Sequence, residues 1–150
     1  MKYNLYKAMV GGHITSMHRA TCNLICIGID LPDHTFVRFH IQTLLRIVYK
    51  SKMILSSEEM YVCGFEGENN DFQRDKPGDS LFDLTLEQIS PLLLKSPIVR
   101  VCPKKTMDLF VYLENGLCLQ VLNYTVRDVE RYRIFDDYVD HDIIVPDLWE

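Results

Sequence analysis

One stretch of this chain has a faint echo later in it. Thr21 to Ile27, then a turn and His34 to Phe39, is echoed by Thr106 to Tyr112, then a turn and Gly116 to Val121. An apolar alternation precedes each copy: Ile14-Thr15-Ser16-Met17 in the first and Ile98-Val99-Arg100-Val101 in the second. Alternating side chains share a face of a strand, so each copy predicts a three-strand unit. The expected fold is α+β, mostly antiparallel sheet built from two pseudo-repeats at about 12–55 and 92–145. One main helix near 85–95 and an acidic loop join them in a single domain, residues 1–150. Such an architecture uses most of the chain and leaves little for a catalytic apparatus. Binding is expected rather than catalysis.

The first trio of strands is expected at about 13–19, 23–30 and 34–41, and the second at about 98–103, 107–113 and 117–123. Ile25, Ile27 and Ile29 alternate with Leu24, Cys26 and Gly28, so both faces of that strand are apolar and predict a covered, central position. Asp30-Leu31-Pro32-Asp33-His34 reads as a turn. Asn115-Gly116 between apolar alternations is a hairpin signal, because both residue types tolerate positive φ. Residues 42–55 fit either a helix or an extended segment, and we take the extended one. A short helix capped by Ser56 or Ser57 is expected at 56–62. The main helix is expected from Leu84 to Lys95, with Thr85 and Gln88 at capping-box spacing. Pro91 either kinks it or starts a second short turn there.

Charge is divided unevenly. Residues 1–54 carry seven Lys or Arg against two acids, and the remainder carries nine against nineteen. Two acidic segments stand out: nine acids against Arg74 and Lys76 in residues 58–90, and six acids with no Lys or Arg in residues 134–150. Such fields repel nucleic acid and draw in cationic partners. The cations of the first third alternate with Ile, Val and Leu as on a solvated sheet face, so no nucleic-acid partner is expected. No apolar run reaches membrane-spanning length, and the N-terminus lacks the apolar core of a signal peptide. Five cysteines, an odd number without a CxxC pair, fit a reducing compartment. A cytoplasmic protein without a membrane partner is the expectation.

Two constellations resemble reactive sites. His13, His18, Cys22 and Cys26 are all zinc-competent, but their spacing is poor: the two histidines fall five apart on a strand, hence on opposite faces, and the cysteines form no knuckle. Asp136, Asp137, Asp140, His141 and Asp142 could be drawn as a hydrated-metal nuclease site, yet they sit in a polar tail with no frame to fix them. No GxSxG elbow or P-loop is present. No catalytic residue, metal or cofactor is expected. The aromatic residues standing among carboxylates, Phe65, Phe72 and Tyr138, either pin loops to the core or form anchors in an acidic interface.

The alternating strands with their Asn-Gly turn, followed by the tail Val129-Glu130-Arg131-Tyr132-Arg133-Ile134, resemble small bacterial immunity proteins of polymorphic-toxin and contact-dependent growth-inhibition systems. The resemblance covers about residues 12–48 and 92–136 and rests on generic motifs. It implies a protein that captures one cognate toxin domain, such as a nuclease with a basic active-site cleft, and blocks it without catalysis. The partner-binding residues expected on that reading are Glu66, Glu68, Asp71 and Phe72 of the long loop and Asp136, Asp137, Tyr138, Asp140 and Asp142 of the tail. The second reading is a cytosolic adaptor or small-ligand module unrelated to toxins, and the third is an enzyme.

Overall fold

The computed structural model describes residues 3–21, 23–65 and 72–146. A single helical turn, α1 (Leu5–Ala8), precedes β1 (His13–Thr21), β2 (Leu24–Asp30), β3 (Phe36–Ile41), β4 (Leu44–Tyr49) and β5 (Lys52–Ser56). A 3-10 helix, Ser57–Tyr61, and the main helix α2 (Leu81–Leu94) follow. The second half supplies β6 (Ile98–Pro103), β7 (Leu109–Leu113), β8 (Leu117–Leu122), β9 (Tyr132–Phe135), a 3-10 turn Val139–His141 and β10 (Ile143–Val145).

The strands form two antiparallel five-stranded sheets, ordered β1-β2-β3-β9-β10 and β5-β4-β8-β7-β6. This order carries the written repeat into three dimensions. The first half gives a three-strand meander to one sheet and the hairpin β4-β5 to the other. The second half does the same with β6-β7-β8 and β9-β10, so each sheet joins one half's meander to the other half's hairpin. The helices are exchanged too: α1 lies against β6 and α2 against β1. Where β1 and β6 begin, Gly11 N–H donates to Ile98 O at 2.7 Å and Ile98 N–H donates to Gly12 O at 2.8 Å.

Alternation explains the core. Ile25, Ile27 and Ile29 of β2, Val37, Phe39 and Ile41 of β3, Leu45 and Ile47 of β4, and Leu117, Leu119 and Val121 of β8 are all buried in one apolar cluster. Each such side chain contributes about 1.5–3 kcal/mol of transfer free energy. Tyr132 joins them edge-on to Phe39 at 5.7 Å, and its hydroxyl meets that of Tyr6 at 2.9 Å. The opposite face of β2 is only partly covered, since Leu24 and Cys26 are half-buried. Expected full coverage on both sides therefore gives way to one filled face and one half-filled one.

The extended reading of residues 42–55 agrees with the structure, as two strands turned at Lys50 and Ser51, which take positive φ of 48° and 65°. Other local expectations are corrected. α2 begins earlier than expected: its capping box is Ser80 with Asp83, not Thr85 with Gln88. Pro91 lies inside the helix, which runs on to Leu94. In the Asn115-Gly116 turn only the glycine has positive φ, 94°. An irregularity between Ile14 and Ser16 resets the alternation of β1, so Ile14 and Arg19 are both buried while His13 and His18 are both exposed. No helix among the described residues is long and apolar enough to cross a membrane.

Candidate protein interface

Strand register assigns each loop to an end of the first sheet. β2 runs from Leu24 to Asp30 and β3 returns from Phe36, opposite Asp30, to Ile41, opposite Ile25. Asn23, Gln42 and Thr43 therefore share one end, together with residues 123–131, which lead from β8 into Tyr132 opposite Ile41. The turn around Asp33 and residues 136–142, which follow Phe135, share the other end.

The long acidic loop is fastened at the first of these ends. Its base is closed by Gly64 N–H donating to Asp79 O at 2.9 Å and Leu81 N–H donating to Val62 O at 2.7 Å. Arg19 holds its returning arm. This fully buried guanidinium donates to the backbone carbonyls of Arg74 and, at 2.9 Å, of Lys76, and it pairs with Asp83 at 2.6 Å. The cations of the first third are thus not all on a solvated face, and this one is structural. Burial alone would push the Asp83 carboxyl up. Bonds from Arg19, the Ser80 hydroxyl and the Gly78 and Ser80 amides reverse that and hold it below the usual carboxylate range.

Arg131 does the same for the loop between β8 and β9. It is buried, and it donates to Asn123 Oδ1 at 2.8 Å, Val129 O at 2.7 Å, Thr125 O at 2.6 Å and Arg127 O at 2.7 Å. All four acceptors belong to residues 123–129. The side chains displayed by this stapled loop face water: Tyr124 is 58 % exposed and Val126 is fully exposed, at 101 %. Across a cleft of about 250 Å³ stands Tyr61, 50 % exposed, at the end of the 3-10 helix that Ser56 caps. Asn23, Gln42, Thr43 and Glu58 line the same cleft. Arg74 of the acidic loop lies 5.4 Å from the Tyr61 ring centre, so the loop's stem and the cleft are one continuous surface.

The structure divides the residues expected to bind a partner. Phe72, half-buried, stands on the returning arm of the acidic loop. Glu66, Glu68 and Asp71 lie outside the described residues, as does Cys22. Asp136, Asp137, Tyr138, Asp140 and Asp142 form the connection between β9 and β10, at the opposite edge of the sheet from β1. Three strand spacings, about 14 Å, separate β1 from β9, so loop and tail do not share an edge.

The tail is also better oriented than a polar tail should be. Asp136 is buried rather than presented. Its carboxylate accepts from Tyr138 N–H at 2.7 Å and meets His141 Nδ1 at 2.7 Å. His141 stacks on Tyr3 with ring centres 3.8 Å apart. Asp142 is half-buried, and burial raises its carboxyl's affinity for a proton. Asp137, Tyr138 and Asp140 are exposed, with Asp137 3.5 Å from Arg38. Among the described residues no group of three or more His, Cys, Asp or Glu is gathered closely enough to hold a metal ion.

Sequence reasoning missed Tyr61, Tyr124 and Val126. A signal was present in Arg131, a charge flanked by Glu130 and Tyr132 at a strand entrance, but only the folded loop reveals what it fastens. None of the protein families, curated proteins or solved structures compared with the chain matches it.

Proposed function

We propose that this chain is a cytoplasmic protein-binding inhibitor of the immunity type, which captures a toxin domain through the loop end of its first sheet and performs no catalysis itself. The observation that carries this reading is the pair of buried arginines. Arg19 and Arg131 each spend their donors on the backbone of a connecting loop, and the loop fixed by Arg131 presents exposed aromatic and apolar side chains. Burying a guanidinium costs several kcal/mol unless its bonds are satisfied. Fixing a loop whose side chains point into water adds nothing to the core, but it removes the ordering entropy that a partner would otherwise face. Rigid tyrosines beside acidic chain are suited to a tight complex, and a dissociation constant of about 1 nM corresponds to about −12 kcal/mol.

The proposal narrows the interface to the acidic loop with Phe72, the cleft between Tyr61 and Tyr124, and Val126. Asp137 and Asp140 contribute long-range field from the far edge rather than contact, and Tyr138 beside them is left outside the interface. A small-ligand role has less support at this end of the sheets: the 250 Å³ cleft there falls below the roughly 300–1,000 Å³ of ligand pockets, and the larger clefts, of about 330–400 Å³, lie elsewhere on the surface.

Capture from native cells with the tagged full chain tests this reading. A stoichiometric partner carrying a toxic domain, whose growth arrest is relieved by co-expression of this chain, is the expected result. Capture of a non-toxic signalling partner, or growth arrest that persists despite binding, overturns it.

A further inference from the structure

The cleft between Tyr61 and Tyr124 has the chemistry of a single-side-chain receptor. Its one charged lining residue is Glu58, which is exposed and makes no ion pair among the described residues. The remaining polar lining, Asn23, Gln42, Thr43 and Ser57, is neutral and includes oxygen acceptors, and Leu44 and Met60 complete it. Two tyrosines, Tyr61 and Tyr124, supply its aromatic lining. One of these rings already carries a guanidinium, since Arg74 lies 5.4 Å from the centre of Tyr61, while Asp75 offsets that charge at 3.6 Å. No cation lies over Tyr124 among the described residues.

We propose that this cleft is a subsite for one arginine side chain of the protein partner. This rests on the protein-binding reading above and deepens it. A planar guanidinium stacks on an aromatic face and offers paired N–H donors to a carboxylate, so Tyr124 and Glu58 together select it over an ammonium. Negative charge in the lining excludes an acidic side chain, and the acceptors leave an aliphatic one with unpaired polar groups around it. The walls are held before binding: Arg131 fixes the Tyr124 side, and the Ser56 cap and the closed base of the acidic loop fix the Tyr61 side.

The test uses the full chain, isotopically labelled, titrated with Nα-acetyl-L-arginine methylamide while backbone amides are followed by NMR. Saturable shifts at Asn23, Thr43, Glu58 and Tyr124 are expected, with a dissociation constant on the order of 1–10 mM for a lone side chain. Glu58→Gln and Tyr124→Leu, both at exposed positions, should each weaken binding about fivefold or more. The neutral citrulline analogue should not saturate, and the lysine analogue should bind several-fold more weakly. Absence of saturable shifts, equal binding of the citrulline analogue, or indifference to Glu58→Gln overturns the subsite. No partner protein is present, so such a failure removes the arginine subsite alone. The capture and rescue experiments judge the inhibitor role separately.

Discussion

Arg19 Nη2 lies 2.6 Å from Asp83 Oδ2, which ties the edge strand of one sheet to the capping carboxylate of the main helix. The pair unites three jobs: it caps α2, holds β1 against it and anchors the returning arm of the acidic loop. A residue that serves all three is costly to alter. Asp83→Asn keeps the shape but removes the charge that faces the buried Arg19 guanidinium at 2.6 Å, and a loss of about 3–5 kcal/mol is expected by denaturant unfolding. The same variant changes the response to acid. Asp83 is held below its ordinary value, so its contribution is full above the unfolded-state value near ~3.9 and is lost as pH falls through the lower folded value. The wild-type unfolding midpoint should therefore drop steeply below about pH 4, and the variant's should be flatter there. A parallel decline in both proteins would contradict this account of Asp83.

Arg131 differs from Arg19 in having no carboxylate among its acceptors. Its bonds need the planar fork, so lysine cannot replace it. Arg131→Lys is expected to lose about 2–4 kcal/mol, with two or more loop carbonyls left without donors. Hydrogen exchange gives the sharper reading: amides 124–129 should exchange much faster in the variant, while those of β7 keep their protection. Uniform acceleration across both sheets would mean that Arg131 supports the core rather than the loop.

The sheet was legible in the sequence because its signal is local. Ile25, Ile27 and Ile29 announce a buried face by spacing alone, and the repeat announces a second meander. The β4-β5 hairpin was harder to see because Lys50 and Ser51 make its turn with positive φ, a conformation usually left to glycine or asparagine. The site was least legible, and for a physical reason. Arg19 reaches residues 74–83 across more than fifty positions of chain, and Tyr61 faces Tyr124 across the seam where the two halves exchange strands. Both acidic segments were expected in the partner interface, whereas the structure sets the tail at the edge opposite β1, the strand whose Arg19 holds residues 74–76. Sequence distance and spatial distance part company wherever two sheets share their strands.

In the tail, equal-looking carboxylates should behave unequally. Asp136 has a nearly buried carboxylate bonded to Tyr138 N–H and His141, while Asp137 is mostly exposed. Asp136→Ala should cost about 1–3 kcal/mol through its unpaired partners. Asp137→Ala should stay within about 0.5 kcal/mol, as for ordinary surface positions. Thermal or denaturant unfolding of the two variants side by side decides the matter, and equal losses would show that the tail is not folded around Asp136.

Binding should follow the same division between the two edges. Tyr124 stands on a stapled loop beside a cleft, the setting in which a single aromatic anchor dominates an interface. Once the partner is in hand, Tyr124→Ala should weaken the complex by about 2 kcal/mol or more, mainly through faster dissociation. Glu66, Glu68 and Asp71 changed together to lysine should act on the other rate. Opposite charge at long range accelerates encounter, so their reversal should slow association and remove most of its salt dependence. Asp137→Lys with Asp140→Lys lies at the far edge and should change association by a smaller factor, leaving dissociation unchanged. Stopped-flow and surface-binding kinetics at two salt concentrations separate these effects. If the far-edge pair controls dissociation and Tyr124 does not, the partner sits on the tail, and the rigid loop end serves some other purpose.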